Sequence, residues 1–243
     1  MSSLILPDWP LPAGVTACSS TRHGGVSLPP YDSLNLGEHV GDDAQAVARN
    51  RQCLVTAAGL PQMPLWLEQV HGTRVLTLDG QTPEDLRADA VYSNVAGLVC
   101  AVMTADCLPV LFASQAGDEV AAAHAGWRGL CHGVLENTVA RFTAAPENIT
   151  AWLGPAIGPS RFEVGAEVRA AFMDIDSAAA AAFTPHGEKF LADLYLLARQ
   201  RLQCAGIFAI YGGNRCTMNE MSHFFSYRRD GTTGRMASLI WVR

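Results

Sequence analysis

Three closely spaced strand patterns in the middle of the chain, at residues 99–104, 110–113 and 120–124, are apolar throughout. A strand with one face in water alternates apolar and polar residues, so these runs are typical of strands covered on both faces. Apolar residues make up 49% of the 243 residues and charged residues only 16%, which excludes a disordered chain. Because helix and strand patterns alternate irregularly, we expect a single α/β (α+β) domain over residues 1–243, with layered sheets and outer helices.

Local signals place the remaining elements around these strands. Asp42 or Asp43 is predicted to cap a helix that ends at Gly59. A turn at residues 71–73 resembles a hairpin turn between strands 65–70 and 74–78. Further strands are predicted at residues 15–21, 149–153, 207–211, 224–228 and 236–242, and further helices at 130–142, 164–173, 178–182 and 191–205. The stretch 22–41, rich in glycine and proline, is predicted to be a long functional loop such as a substrate lid.

Charge, cysteine content and hydropathy exclude several classes of protein. The formal net charge is -6, with 17 basic and 23 acidic residues, which disfavours a general nucleic-acid binder but leaves a small anionic substrate open. The seven cysteines include no C-x-x-C pair, so neither a disulfide framework nor a structural zinc ribbon is expected. No bilayer-spanning run and no basic, apolar leader is visible, so we expect no membrane partner and a cytoplasmic location.

Three metal-competent side chains follow apolar strand patterns. His71, Cys107 and His124 each lie at the end of such a run. Two imidazoles and a thiolate form a three-ligand set that leaves one coordination position open, as in catalytic zinc sites. Their spacing alone also allows three hydrogen-bonded core residues. Asp106, next to Cys107, is predicted either to orient a histidine or to cap the turn at Leu108.

Arginines near these positions are candidates for binding an anionic substrate. Arg128 follows His124 between two glycines, with Trp127 as a stacking wall, although a solvated arginine after a tight turn stays open. Arg228 and Arg229, with Arg235 nearby, form a dense cluster that could instead be a solvated hairpin. Asn35, in the 22–41 loop, is a further substrate-binding candidate. The other histidines are expected at the surface or in loops; they are His23, His39, His132, His186 and His223.

Seven motifs spread over residues 21–241 make the sequence similar to the bacterial YfiH family, also called the laccase-domain family. They are TRHGGVS, YDSLNLGEHVGDD, WLEQVHG, MTADCLPVLF, AAHAGWRG, LGPAIGP with FEVGAEV, and FFSYRRDGTTGRMASLIW. Phe162 stands where tyrosine is common in the family. No departure is visible in the three motifs that carry the metal ligands.

The resemblance implies a layered α/β/β/α domain similar to cysteine–histidine deamidases, with His71, Cys107 and His124 as both metal ligands and catalytic residues. It implies bound Zn²⁺, with Cu²⁺ able to occupy the same site. An older family label is multicopper polyphenol oxidase. However, a blue-copper site plus a trinuclear cluster needs roughly ten imidazoles. The chain has seven histidines and no His-x-His pair, which argues against a true laccase.

Three functions are compatible with these observations. The first is a zinc-dependent enzyme that phosphorolyses purine nucleosides (adenosine, inosine, guanosine and methylthioadenosine) and deaminates adenosine. The second is an amide hydrolase that edits peptidoglycan precursors by removing L-serine from UDP-N-acetylmuramyl-serine, through zinc or a Cys107 thiolate. The third is a metal- or partner-binding protein without catalysis, which the open coordination position disfavours.

Overall fold

The computed structural model describes residues 3–243, within which thirteen strands and six α-helices are found. The strands are β1 Leu4–Ile5, β2 Val15–Ser20, β3 Val75–Leu78, β4 Ala90–Ser93, β5 Val99–Thr104, β6 Leu108–Ser114, β7 Val120–Ala125, β8 Ile149–Leu153, β9 Glu163–Val164, β10 Phe183–His186, β11 Lys189–Ala192, β12 Ala209–Gly212 and β13 Met236–Val242. The helices are α1 Ala44–Ala58, α2 Trp127–His132, α3 Val134–Val139, α4 Ala166–Met173, α5 Leu194–Cys204 and α6 Tyr227–Asp230. None of these helices is long and apolar enough to cross a bilayer.

Two large sheets lie face to face between helices. The six-stranded sheet has the order β12-β8-β6-β7-β4-β3, and the four-stranded sheet has the order β1-β2-β13-β5. Apolar side chains between them, such as Val102 and Ile240 on one side and Leu111 and Ala122 on the other, form one core cluster. Helices α2 to α5 cover the outer face of the six-stranded sheet, and α1 covers the four-stranded sheet through Leu54. This mixed α/β layering confirms the predicted fold class.

Packed layers on both faces explain why the sequences of β5, β6 and β7 are apolar. Every residue of β5, β6 and β7 is buried, because each strand has a packed layer on both faces. A third, three-stranded sheet of order β10-β11-β9 lies outside the two main layers. Helix α1 also forms as expected, since the Asp43 side chain accepts from the Ala46 amide and Gly59 takes the left-handed conformation at its end.

The predicted hairpin across residues 71–73 is wrong. Only Val75–Leu78 is a strand, and it pairs in parallel with β4 rather than with residues 65–70. In that upstream segment, Glu68 forms an isolated bridge with Arg87. The backbone N–H groups of residues 70–72 donate to the carboxylate of Asp89 instead of to a neighbouring strand. A buried side chain therefore replaces the ladder that a hairpin would have provided.

Glycine and side-chain capping account for two further differences. The predicted helix over residues 130–142 is divided at Gly133, whose φ of 98° is left-handed and ends α2 before α3 begins. The predicted strand at 224–228 is wrong: Phe224 and Phe225 are buried without a strand partner, and Ser226 caps the single turn of α6. The helix predicted from residue 191 starts at Leu194, where Asp193 caps it.

Candidate active site

His71, Cys107 and His124 converge at one end of the six-stranded sheet. The Cys107 sulfur lies 3.8 Å from Nε2 of His71, and the two imidazole rings are 4.8 Å apart and nearly perpendicular. One ligand atom from each of the three residues lies within 4.8 Å of the others. The predicted three-ligand set is therefore assembled in space, with His71 exposed, Cys107 half-buried and His124 buried.

Strand register explains why residues so distant in sequence meet. Strands β6 and β7 are antiparallel with Pro109 opposite His124, so Cys107, just before β6, lies beside the end of β7. Strand β4 runs antiparallel to β7 on its other side, with Ala90 opposite Ala123. Asp89, just before β4, therefore also lies next to His124.

Asp89 orients both histidines. Its Oδ1 lies 2.8 Å from Nδ1 of His124, and because a carboxylate only accepts, Nδ1 carries the proton and Nε2 is left facing the site. The same carboxylate accepts from the backbone N–H of His71 at 2.8 Å and of Gly72 at 2.7 Å. Asp89 is fully buried, so one charge fixes the ring of His124 and the backbone turn that presents His71.

The prediction that Asp106 orients a histidine is wrong. Its carboxylate accepts from the Thr217 hydroxyl at 2.6 Å, from the Ser226 hydroxyl at 3.1 Å and from the Arg228 backbone N–H at 2.6 Å. Asp106 thus ties the segments around residues 217 and 226–228 to the Cys107 turn. Its φ is 91° and that of His71 is 61°, both in the left-handed region that non-glycine residues rarely occupy.

The electrostatics of the metal-free centre favour a thiolate. Burial by itself raises the pKa of Cys107, but the charge and hydrogen bond of His124, followed by those of His71, lower it to about 6. Burial by itself lowers the pKa of His124, but Cys107 and Asp89 raise it to about 9. Burial raises the pKa of Asp89, yet hydrogen bonds from His124 and Gly72 bring it below its usual value. Without metal, the coupled pair therefore favours a thiolate on Cys107 and an imidazolium on His124.

The donor set and the space around it fit a metal ion. A thiolate and two imidazole nitrogens are ligands that zinc prefers, and copper also binds such sets. A Cβ on Gly126 would lie 2.9 Å from His71 Cδ2 and 3.0 Å from the Cys107 sulfur, so only glycine leaves this approach open. Within residues 3–243 this is the one group of three or more His, Cys, Asp or Glu side chains with such geometry.

Two cavities of different character meet at the triad. We call the first the polar cavity; it has a volume of about 350 Å³ and its lining includes His39, Gln69, Met103 and Arg235. The second, the aromatic cavity, has a volume of about 230 Å³ and is lined by Trp127, Ile157, Phe162, Leu194, Arg128 and Arg228. His71, Ala105, Cys107 and Tyr227 line both. A two-part ligand can therefore reach Cys107 from both sides.

Of the four predicted substrate-binding residues, two lie at a cavity and two do not. Arg128 stacks on Trp127 and Arg228 on Phe162, with guanidinium-to-ring distances of 4.4 and 5.4 Å, at the aromatic cavity. Arg229 instead pairs with Asp230 and donates to backbone carbonyls in the 217–224 segment. Asn35 is buried outside both linings, where it holds backbone groups.

Sequence reasoning missed Asp89, His39, Gln69 and Tyr227. Asp89 lies directly before β4, whereas the candidate residues were identified as polar residues that follow apolar strand patterns. Gln69 binds both backbone groups of Met103 and thereby ties the His71 turn to the end of β5. His39 was expected at the surface or in a loop; it is exposed, lies in the short 3-10 helix Glu38–Val40, and lines the polar cavity.

A larger cavity, of about 600 Å³, lies away from the triad beside α5. Its arginines are already bound: Arg199 donates to the Gly212 carbonyl at 2.7 Å, and Arg215 pairs with Glu220. With no metal-competent cluster next to it in the described part of the chain, it is a weaker candidate than the triad.

Comparison with known protein families agrees with this geometry. Residues 16–243 match the family model described as multi-copper polyphenol oxidoreductase laccase. The chain belongs to this laccase family. Solved structures similar to it include a Neisseria meningitidis protein, with a TM-score of 0.93, 51% identity and 99% of each chain covered. YfiH from Bacillus licheniformis has a TM-score of 0.93 and 33% identity over 100% of this chain and 97% of its own.

Curated members of the laccase family carry an enzyme name. The protein called purine nucleoside phosphorylase YfiH in Shigella flexneri is 67% identical over 242 residues and covers 100% of both chains. A Haemophilus influenzae protein called purine nucleoside phosphorylase is 57% identical, with 98% of both chains covered. The resemblance to the YfiH family is thereby confirmed, and the chain is a member of a family of enzymes.

Proposed function

We propose that this chain is a zinc-dependent purine nucleoside phosphorylase that acts on adenosine, inosine, guanosine and methylthioadenosine and also deaminates adenosine. The observation that carries the proposal is the position of the triad at two adjoining cavities, since His71 and Cys107 line both and His124 lines the polar cavity. Phosphorolysis needs two substrates, a nucleoside with an aromatic base and an anionic phosphate, and they must meet at C1′ of the nucleoside. The names of relatives at 57% and 67% identity support the same reaction.

The aromatic cavity suits a purine ring. Trp127 and Phe162 offer flat apolar faces, and Ile157 and Leu194 complete an apolar lining. Arg128 and Arg228, stacked on the two rings, place guanidinium groups at the same cavity, where they can donate to purine nitrogen or oxygen acceptors. Phe162 in place of the family's more common tyrosine removes one hydroxyl from this lining.

Phosphorolysis moves a glycosyl group from nitrogen to oxygen. A phosphate oxygen forms a bond to C1′ while the bond from C1′ to the purine nitrogen breaks, and the base leaves with the bonding electron pair and takes up a proton. His71, Cys107 and His124 would hold zinc, which supplies Lewis-acid chemistry of use in this cleavage and in purine deamination. Asp89 keeps the His124 ring in the ligand tautomer.

Product analysis tests the proposal directly. Purified protein is incubated with inosine, with and without phosphate, and the products are identified by mass. We expect hypoxanthine and ribose 1-phosphate only when phosphate is present, and the loss of both with Cys107→Ala. A matched control is Cys204→Ala, since Cys204 is an exposed cysteine away from the site. If folded, metal-loaded protein forms no ribose 1-phosphate from inosine and phosphate, the proposal is ruled out.

A second candidate function is favoured by one observation. Asp89, His124 and Cys107 form a chain in which the carboxylate holds Nδ1 and leaves Nε2 towards the thiol, which is the arrangement of a cysteine hydrolase. An amidase that removes L-serine from UDP-N-acetylmuramyl-serine would use it. A parallel incubation with that compound, in which free serine is measured after thorough chelation of metal, separates the two functions.

A further inference from the structure

We propose that Arg235 forms the anion subsite of this centre and that its ligand is an oxyanion. In the reaction proposed above, on which the identity of the ligand rests, that oxyanion is inorganic phosphate. Arg235 lines the polar cavity together with Cys107, His71 and His124. It lies directly before β13, whose residues are buried in the four-stranded sheet.

The guanidinium of Arg235 lacks an acidic partner within residues 3–243. Its Nη1 donates to the carbonyls of Thr233 and Gly234, each at 3.1 Å, and its plane lies near the Tyr227 ring. No described carboxylate lies within ion-pair distance, and no described group accepts from Nε or Nη2. Carbonyl oxygens are neutral acceptors, so the guanidinium forms no ion pair with a described carboxylate, although the charges of Cys107 and Asp106 act on it from a distance. Its Nε and Nη2 groups remain available as donors.

Several other arginines of the same region are neutralised, whereas Arg128 and Arg228, at the aromatic cavity, also lack a described carboxylate within ion-pair distance. Arg229 pairs with Asp230 at 2.7 Å, Arg51 with Glu38 at 2.7 Å and Arg22 with Asp32 at 3.4 Å. Arg235 is partly buried, and buried cations in proteins are ordinarily paired because an unpaired charge loses its hydration without compensation. Burial accordingly lowers the pKa of Arg235, and the nearby Cys107 and Asp106 oppose this only in part. An anionic ligand would complete the pairing.

The loop over residues 35–37 holds this arginine in place. Asn35 Oδ1 accepts from the backbone N–H of Arg235 at 2.9 Å, and Leu36 donates to its carbonyl at 3.1 Å. A Cβ on Gly37 would lie 2.8 Å from Arg235 Cγ, so the glycine gives the side chain its space. Asn35, predicted as a substrate-binding residue, therefore acts as a positioning residue for Arg235.

The remaining polar groups of the polar cavity fit an oxyanion. Burial and the charges of Arg235 and Arg51 lower the pKa of His39, which disfavours a positive charge on its imidazole. Gln69 is occupied by Met103. Among the described residues, Arg235 is the arginine that lines this cavity, and its planar fork suits two oxygens of a tetrahedral oxyanion. Since arginine stays protonated, its role is to bind and orient the anion rather than to transfer a proton.

Steady-state kinetics with both substrates varied provide the first test. For Arg235→Met we expect KM for phosphate to rise roughly 10- to 100-fold, the effect of losing charge-assisted hydrogen bonds, with KM for inosine within about twofold of wild type. Arg235→Lys should recover part of the loss, because it restores charge but not the fork. Arg128→Met, at the aromatic cavity, should change KM for inosine and leave KM for phosphate unchanged.

Gly37→Ala provides a second variant if Arg235→Met does not fold. The added methyl group displaces the arginine side chain without removing its charge, so KM for phosphate should again rise selectively. An unchanged KM for phosphate in either folded variant, or an equal change in both KM values, would overturn the proposal.

Direct binding separates this inference from the proposed function. Calorimetric titration of inorganic phosphate into zinc-loaded protein needs no turnover. If the wild-type protein binds phosphate without catalysing phosphorolysis, and Arg235→Met loses this binding, the phosphorylase is refuted and the anion subsite is retained. Phosphorolysis with phosphate binding that does not depend on Arg235 would refute the subsite and retain the phosphorylase.

Discussion

Asp89 Oδ1 lies 2.8 Å from Nδ1 of His124, and the same carboxylate accepts from the backbone N–H groups of His71 and Gly72. A single buried acid therefore fixes the tautomer of one predicted ligand and the turn that carries another. The carboxylate is not itself a ligand in this arrangement, because its oxygens accept from these three donors and from the Val70 N–H. The three-ligand set thus depends on a residue outside it.

Replacement of Asp89 by asparagine tests this dependence. An amide cannot accept from all of these donors with equal strength, so we expect zinc affinity to fall by roughly 10- to 100-fold, the usual effect of losing a partner of a ligating histidine. Competition with a chromophoric chelator measures it. Asp85→Asn is the matched control, since Asp85 lies in exposed ion pairs with Arg74 and Arg87. Equal affinities for the two variants would contradict the role given to Asp89.

Metal content provides the second prediction. We expect about one zinc per chain in protein as purified, and no tight binding in His71→Ala or His124→Ala, because two remaining ligands hold zinc weakly. Elemental analysis after dialysis against a weak chelator gives the ratio. His186→Ala serves as control, since His186 interacts with Glu163 at the surface. Full zinc occupancy in both triad variants would refute the metal site.

The third prediction concerns the pH dependence of Cys107 in metal-free protein. A pKa of about 6, below the ordinary value of 9.0, means that the thiolate forms as pH rises through 6. Alkylation by iodoacetamide should therefore show a midpoint near pH 6, and His124→Ala should move that midpoint upward because the stabilising positive charge is lost. Peptide mass mapping identifies the labelled residue. Cys18 and Cys100, whose pKa values burial raises, should stay unlabelled.

Zinc should protect Cys107 from the same reagent, since a ligating thiolate is shielded. Protection and activity are expected to disappear together on chelation. Activity that survives chelation but is lost on alkylation of Cys107 would instead favour the cysteine hydrolase.

Gly126→Ala is the fourth test. Its Cβ would lie 2.9 Å from His71 and 3.0 Å from the Cys107 sulfur, so the ligands must move apart and zinc affinity should fall at least tenfold. Gly72→Ala is a close control, because its Cβ would meet Asp89 at an ordinary 3.5 Å. We expect Gly72→Ala to keep both zinc and the melting temperature, and a similar loss in both variants would remove the steric explanation.

Copper chemistry gives the fifth prediction. Seven histidines cannot supply a blue-copper site together with a trinuclear cluster. Copper-loaded protein should therefore bind about one tight copper per chain and lack an intense blue absorption band. Four coppers per chain with such a band would contradict the histidine count.

The elements best predicted from sequence are those specified by local chemistry. Helix α1 lies between its Asp43 cap and Gly59, and the apolar runs of β5, β6 and β7 predict burial on both faces. Capping and hydrophobic periodicity act over a few residues, so they are visible in the sequence. The same short-range signals singled out His71, Cys107 and His124, although the segment before His71 is not a strand.

The tertiary structure decided which distant groups these residues meet. Asp106, the neighbour of Cys107, binds Thr217, Ser226 and Arg228, whereas Asp89 holds His124 through the register of β4 on β7. Arg229 is occupied and Arg235 faces the polar cavity, although the two arginines lie close in sequence. The local sequence does not reveal which aspartate holds His124 or which arginine faces the cavity. These contacts depend on strand pairing and loop packing between segments up to 200 residues apart. Strand pairing within the six-stranded sheet brings Asp89 to His124, and packing of the four-stranded sheet with its loops brings Arg235 to the polar cavity.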